Sequence, residues 1–244
     1  SIDSIQNELF EMIGRLKSGG MRLEDTMNTK YADMVDYYTM WVHQIKTPIA
    51  SMHLILQKED TEDARRLRAE LFRIEQYVRM VLCFLRLDSD FTDYVIKEYK
   101  VDDIVRPAVR SLAPQFIMKR LALEYEQTDV VALTDEKWLG FVVEQVLSNA
   151  VKYTSAGSIS IKCDEDRLVI SDTGIGIAAE DLPRIFDKGY TGFNGRADRK
   201  ASGIGLYLCR RICDKLGHSI RAESVAGQGT TITIGLGRNR LEVE

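Results

Sequence analysis

Two sets of residues have the types and spacing to do chemistry. The first lies in WVHQIKTPIA, residues 41–50, where His43 is followed by Gln44, by Thr47 one helical turn on, and by Pro48. An imidazole titrates near neutral pH and serves as nucleophile or proton acceptor. The second set is spread over residues 145–206. In QVLSNAVKY, Asn149, Lys152 and Tyr153 follow Gln145 along one helical face. An Asn carbonyl is a hard ligand suited to Mg2+, and a lysine offsets phosphate charge, although the same face would serve equally as solvated surface. In DTGIGI, Asp172 at a strand end can accept a hydrogen bond from an amino group, while Gly174 and Gly176 let the backbone approach a flat ring. In SGIGL, Gly203 and Gly205 precede a helix whose first amides are free for phosphate, without a Walker lysine motif. Between these loops FDKGYTGFNGRADRKA reads as a mobile lid carrying Lys188, Arg196, Arg199 and Lys200.

These residues need elements to hold them. Met27, Tyr31, Met34, Tyr38, Trp41, Ile45, Ile49, Met52 and Leu56 recur in steps of three and four, which predicts one helix with one seam. After the polar break QKEDTED a second seam runs through Leu67, Leu71, Ile74, Val78, Val81 and Leu85, so the first half reads as a helical hairpin. Two helices bury little alone, and the economical solution is a homodimeric four-helix bundle. At about 100° per residue, His43 stands about 160° from seam residue Ile45 and shares its outward face with Thr47. A core histidine satisfied by hydrogen bonds is the bland alternative, and the seam register opposes it. Pro48 lacks an N–H to donate to Gln44 and is expected to loosen the turn behind His43, or merely to bend a long helix around a bundle.

From about Lys97 the period changes. Short β-branched runs, SISIKC, RLVISD and TTITIGL, alternate with helical stretches, so the second half is α+β. On the helix around 136–153, Leu139, Val142, Val143, Val146 and Ala150 form the apolar stripe. After SGIG the apolar side holds Leu206, Leu208, Ile212 and Leu216. A net charge of −4 gives no general attraction to phosphate backbones, which opposes nucleic-acid binding as the main role. Cys83, Cys163, Cys209 and Cys213 lack CxxC spacing and read as reduced thiols; Cys209 and Cys213 share a helix face, yet no nearby histidine completes a metal site. No run of 18 apolar residues occurs, and the amphipathic opening SIDSIQNELFEMIGRLKSGG reads as cut from something longer.

Order and spacing are more specific than any single motif, and over residues of about 25–237 the chain resembles the cytoplasmic kinase core of a bacterial sensor histidine kinase. HQIKTP resembles the H box, QVLSNAVKY the N box, DTGIGI the first glycine box, RIFDKGY the F box and SGIGL the second glycine box. The H box and lid are most similar to those of intramembrane-sensing kinases that work beside peptide-antibiotic transporters. The resemblance implies a linker helix over residues 1–24, a dimerisation and histidine phosphotransfer domain over 25–92, and a catalytic ATP-binding domain over 93–244. The fold implied is an α-helical hairpin forming a dimeric four-helix bundle, followed by an α+β sandwich of the chaperone and gyrase (GHKL, Bergerat) type. Implied cofactors are ATP and Mg2+, with Asn149 on the metal and Asp172 on the adenine amino group. Gly174, Gly176, Gly203, Gly205 and Leu206 shape the pocket, and Lys152, Tyr153 and Lys188 contact ATP. His43 is the phosphorylated residue, with Gln44 and Thr47 as its catalytic neighbours. Gln145 and Gln44 depart from the pattern, standing where many relatives carry an asparagine and an acidic residue respectively. Implied partners are a second copy, the receiver domain of a response regulator, and an ABC transporter reached through membrane segments outside the given chain; the parent is then anchored in the bacterial membrane. Two rival readings remain: an ATP-binding scaffold that does not phosphorylate itself, which predicts an unmodified His43, and a GHKL-type ATPase whose helical half is only a dimer clamp, which the place of His43 outside the seam beside Thr47 opposes.

Overall fold

The computed structural model describes residues 2–87, 94–192 and 202–237. The chain divides into two compact units, Ser1–Thr92 and Asp93–Glu244.

The first unit is a hairpin of α1, Ile2–Gln57, and α2, Glu62–Leu87. The turn is built from polar caps: Thr61 Oγ1 accepts from the Ala64 N–H at 3.1 Å, and Arg68 donates to the carbonyls of Leu56 and Glu59, both at 3.3 Å. Glu62 and Asp63 in the first turn of α2 complement its macrodipole. Helix α1 runs through Pro48 without ending, so the missing N–H is absorbed within a continuous helix.

The seam differs from its sequence reading. Among the described side chains of α1, Val42, 1% exposed, and Ile49 are the buried ones, and Val42 lies outside the expected set; Met27, Met34, Trp41 and Met52 are exposed. On α2 the expected row splits in two, with Leu71, Val78 and Leu85 buried and Leu67, Ile74 and Val81 exposed, each trio seven residues apart. The reason is geometric: an apolar stripe wide enough for two neighbours gives only one edge to the partner helix. Tyr31 fastens the helices together by donating its hydroxyl to the Leu85 carbonyl at 2.6 Å.

In the second unit the order is β1 (Lys97–Lys100), α3 (Val101–Lys119), β2 (Ala122–Tyr125), β3 (Val131–Thr134) and α4 (Glu136–Tyr153). Then follow β4 (Ser158–Asp164), β5 (Arg167–Asp172), a 3-10 turn (Leu182–Arg184), α5 (Gly205–Leu216), β6 (Ser219–Val225) and β7 (Gly229–Gly235). The main sheet has the order β2-β4-β5-β7-β6, parallel only between β2 and β4, and β1 pairs antiparallel with β3. Ile159, Ile161, Leu168, Ile170, Ile232 and Ile234 are buried at alternate positions, so one face of the sheet is covered by the helical layer. Helix α4 packs between α3 and α5, which is why Leu147 and Val151 are fully enclosed beside the expected stripe. Cys209 and Cys213 lie on the buried side of α5 outside any disulfide, and burial pushes Cys213 up to about 12.

Candidate active site

In the second unit the site is built where α4 ends. Asp135 starts the helix, its Oδ1 accepting the N–H groups of Lys137 at 2.9 Å and Trp138 at 3.1 Å. Eighteen residues later the carbonyl of Tyr153 accepts the Ile175 N–H at 3.2 Å, which draws the loop after β5 against the C-terminal end of α4. Asp172, the last residue of β5, and Tyr153, the last of α4, are thereby neighbours across Gly174.

That closeness requires glycine. A Cβ at position 174 would lie 2.5 Å from the Tyr153 carbonyl oxygen and 2.8 Å from Asp172 Oδ1. The Gly174 N–H instead donates to that same Oδ1 at 2.8 Å. Burial raises the Asp172 pKa above its ordinary value, and the N–H groups of Gly174 and Thr230 oppose the rise. Gly176 is buried next to the β6 end, and the Gly227 N–H closes the loop by donating to the Ile175 carbonyl at 2.7 Å.

Asn149 and Lys152 lie three residues apart on α4, both half-buried, and Lys152 Nζ stands 5.0 Å from the centre of the Tyr153 ring. Gln145 does not share their exposure. At 6% it is enclosed, whereas Asn149 and Lys152 keep partial exposure further along the same helical face.

The turns around the 3-10 segment are held by their own contacts. Tyr190 donates its hydroxyl to Asp181 Oδ1 at 2.5 Å, and the Arg184 guanidinium stacks 4.3 Å from the Tyr190 ring centre. Asp181, which no spacing in the sequence singles out, anchors this turn through Tyr190. Lys188 is exposed. Gly203, with φ +65°, accepts the Gly189 N–H at 3.0 Å; a Cβ there would lie 2.5 Å from the Gly189 carbonyl carbon. Helix α5 then begins at Gly205 with no side-chain cap, so the first-turn amides, Leu206 among them, have no side-chain acceptor among the described residues. Arg196, Arg199 and Lys200 of the expected lid lie outside the described residues.

A carboxylate at a strand end, an amide and a lysine on one helix face and an uncapped helix N-terminus form a donor and acceptor set that fits a nucleotide with its metal. In the first unit His43, Gln44 and Thr47 are all exposed on α1, with Val42 and Ile49 turned the other way into the hairpin. The fold brings Tyr153, Asp172 and Gly174 together and sets Gly203 against Gly189, and the histidine trio is held on one helix.

Residues 134–240 match the family of histidine kinase-, DNA gyrase B- and HSP90-like ATPases. The chain is 35% identical over 234 residues to the sensor histidine kinase YxdK of Bacillus subtilis, covering 93% of this chain and 72% of that one. This chain belongs to the sensor histidine kinases. The kinase is also 34% identical over 237 residues to the sensor protein BceS of Halalkalibacterium halodurans, covering 94% of this chain and 69% of that relative. With the sensor histidine kinase GraS of Staphylococcus haemolyticus it shares 35% identity over 204 residues, 80% of this chain and 59% of that one. These relatives place the kinase in the BceS and GraS subgroup, and its second unit is an ATP-binding domain. The fold agrees with two solved structures at 20% identity. Full-length ShkA in complex with AMPPNP superposes with a TM-score of 0.58, covering 83% of this chain and 46% of that one. The Acinetobacter baumannii histidine kinase AdeS superposes with a TM-score of 0.55, covering 81% and 98%.

Proposed function

We infer that the kinase transfers the γ-phosphoryl group of Mg-ATP to His43 and then to an aspartate on the receiver domain of a response regulator. The observation that carries this reading is the outward position of His43 on α1, next to the buried Val42. A neutral imidazole nitrogen attacks the γ-phosphorus, a P–N bond forms, the bond to the bridging oxygen breaks, and ADP leaves with that electron pair. Such a transfer depends mainly on positioning and on neutralising charge.

Each residue then has a part. The Asp172 carboxylate accepts the adenine amino group, and Asn149 holds Mg2+ through its side-chain oxygen. Bound there, the metal supplies charge neutralisation for the phosphates. Lys152, Tyr153 and Lys188 contact the nucleotide, while Gly174, Gly176, Gly203, Gly205 and Leu206 shape the loops around it. Gln44 accepts the proton-bearing nitrogen of the imidazole and fixes its tautomer, but an amide is too weakly basic to take the proton away. Thr47, one turn on, orients water against the phosphorylated regulator, giving the kinase a phosphatase role.

The exposed row Leu67, Ile74 and Val81 supports a two-fold dimer in which the two hairpins form a four-helix bundle. The division proposed is a linker helix over residues 1–24, a dimerisation and phosphotransfer domain over 25–92 and an ATP-binding domain over 93–244. Among the described residues no helix is long and apolar enough to cross a membrane. Anchoring of the parent protein and its link to an ABC transporter are proposed from the subgroup of its relatives.

The test is incubation with γ-labelled Mg-ATP. Label should appear that survives alkali and is lost in mild acid, as a phosphoramidate requires. His43→Gln should abolish it while ATP binding stays within about twofold of wild type. Acid-stable label, or label persisting in that variant, would overturn the assignment.

A further inference from the structure

The last turn of α4 ends without the left-handed glycine that commonly caps helices. Thr154 is extended at φ −104° and ψ 116°, and its N–H returns to the Ala150 carbonyl. The carbonyls that follow need other donors. Lys119, the last residue of α3, supplies them: its Nζ donates to the carbonyls of Val151 at 2.6 Å, Lys152 at 3.1 Å and Thr154 at 3.1 Å. The remaining one, on Tyr153, accepts the Ile175 N–H at 3.2 Å. All four carbonyls from 151 to 154 are thus engaged, three by one ammonium group and one by the loop that carries Asp172.

We propose that Lys119 is a positioning residue for the nucleotide, a clamp that fixes the end of α4 so that Lys152 and Tyr153 stand in register with the 172–177 loop. The inference rests on the reading of Lys152 as an ATP contact. The three hydrogen bonds of Lys119 to the end of α4 all go to backbone carbonyls. An ammonium suits the task because it has three donors in tetrahedral array and its charge lies at the negative end of the helix dipole. A planar guanidinium cannot reproduce three diverging bonds from one nitrogen. Without the clamp, the last turn frays, the Tyr153–Ile175 bond weakens, and two side chains meant for the nucleotide lose their common frame.

The experiment is a double-mutant cycle on the full chain, with ATP affinity as the readout. Lys119→Met keeps the apolar stem and removes the donors. It should weaken ATP binding roughly tenfold, while the single-turnover labelling rate at saturating ATP changes less than about twofold. Lys152→Ala should weaken binding by itself, and adding Lys119→Met to it should cost clearly less than about tenfold more, because part of the clamp's effect passes through that residue. Without nucleotide, the Ile175 amide should exchange its hydrogen faster in Lys119→Met. Unchanged ATP affinity in Lys119→Met, or the same tenfold loss in both backgrounds, would overturn the clamp, since a general loss of stability is indifferent to Lys152. Full ATP affinity in Lys152→Ala alone would overturn the site reading, and the inference with it. Should Lys119→Met fail to fold, Lys119→Gln, which keeps two amide donors, must show an intermediate loss with the same dependence on Lys152; its absence overturns the proposal.

Discussion

At Asp172 the protein accepts an electrostatic conflict, for burial raises the carboxyl's pKa while the N–H groups of Gly174 and Thr230 lower it by less. A carboxyl whose folded pKa lies above its unfolded one holds its proton more tightly in the folded state. Its contribution to stability is therefore full below the unfolded pKa and is lost as pH rises through the folded value. Nucleotide recognition asks for the opposite form, because the Gly174 N–H and an adenine amino group both need an acceptor. Asp172→Asn removes the charge and leaves one acceptor oxygen for two donors. We expect its apo form to melt at the same temperature as wild type or about 1–3 °C higher near neutral pH, with the difference vanishing in acid. ATP affinity should fall by roughly 100-fold or more. Calorimetry across pH, paired with ATP titration, checks both; a lower melting temperature at neutral pH with intact binding would refute the assignment. The strand-end position of Asp172 and the tight turn at Gly174 were legible in the sequence, from the β-branched run RLVIS followed by glycines, while their role was suggested only by the order of the motifs together. The depth of Gln145 was not legible, because no pattern within α4 records how far its neighbours cover each position.

At the scale of the element, the two rows of α2 make separable predictions. Leu71 is 4% exposed and belongs to the contact with α1, whereas Ile74 is 45% exposed and faces away from it. Burying such a side chain contributes about 1.5–3 kcal/mol, and a two-fold axis uses each residue twice, so Ile74→Asp removes about 3–6 kcal/mol of association. That corresponds to a dimer weakened by roughly 10²–10⁴-fold. Light scattering over a dilution series should find Ile74→Asp monomeric with most of its helical circular dichroism kept, and Leu71→Asp losing helicity instead. A stable Ile74→Asp dimer would mean that this row serves another surface. The sequence period reveals that both rows are apolar, and it cannot say which edge meets which neighbour. That is how Trp41 was placed in the seam and Val42 left out of it: adjacent residues about 100° apart both border a wide stripe. The strands show the converse case. β4, β5 and β7 alternate over six or seven residues and were readable, while β1, β2 and β3 span four residues each, too few for a period to show.

For the whole molecule, the change of period near Lys97 was visible in the sequence, and the contact boundary falls close by, between Thr92 and Asp93. Every residue proposed for ATP lies in the second unit, and the phosphate acceptor lies in the first. Binding and chemistry should therefore separate. The sheet with its three helices has its own enclosed core, so residues 94–244 alone are expected to fold and to bind ATP within about threefold of the full chain, without labelling themselves. Added to the 244-residue chain carrying Asn149→Ala, which has His43 but no metal ligand, that fragment should restore label on His43. The rate is set by encounter. Tethering gives an effective concentration of order mM, so at about 10 μM fragment the transfer should run roughly 100-fold slower than in the intact kinase and rise linearly with fragment concentration. Label counted against fragment concentration checks this directly. A rate that saturates at low concentration would indicate a specific docking surface between the units, and no label at any concentration would mean that the catalytic site needs a residue from the first unit besides His43.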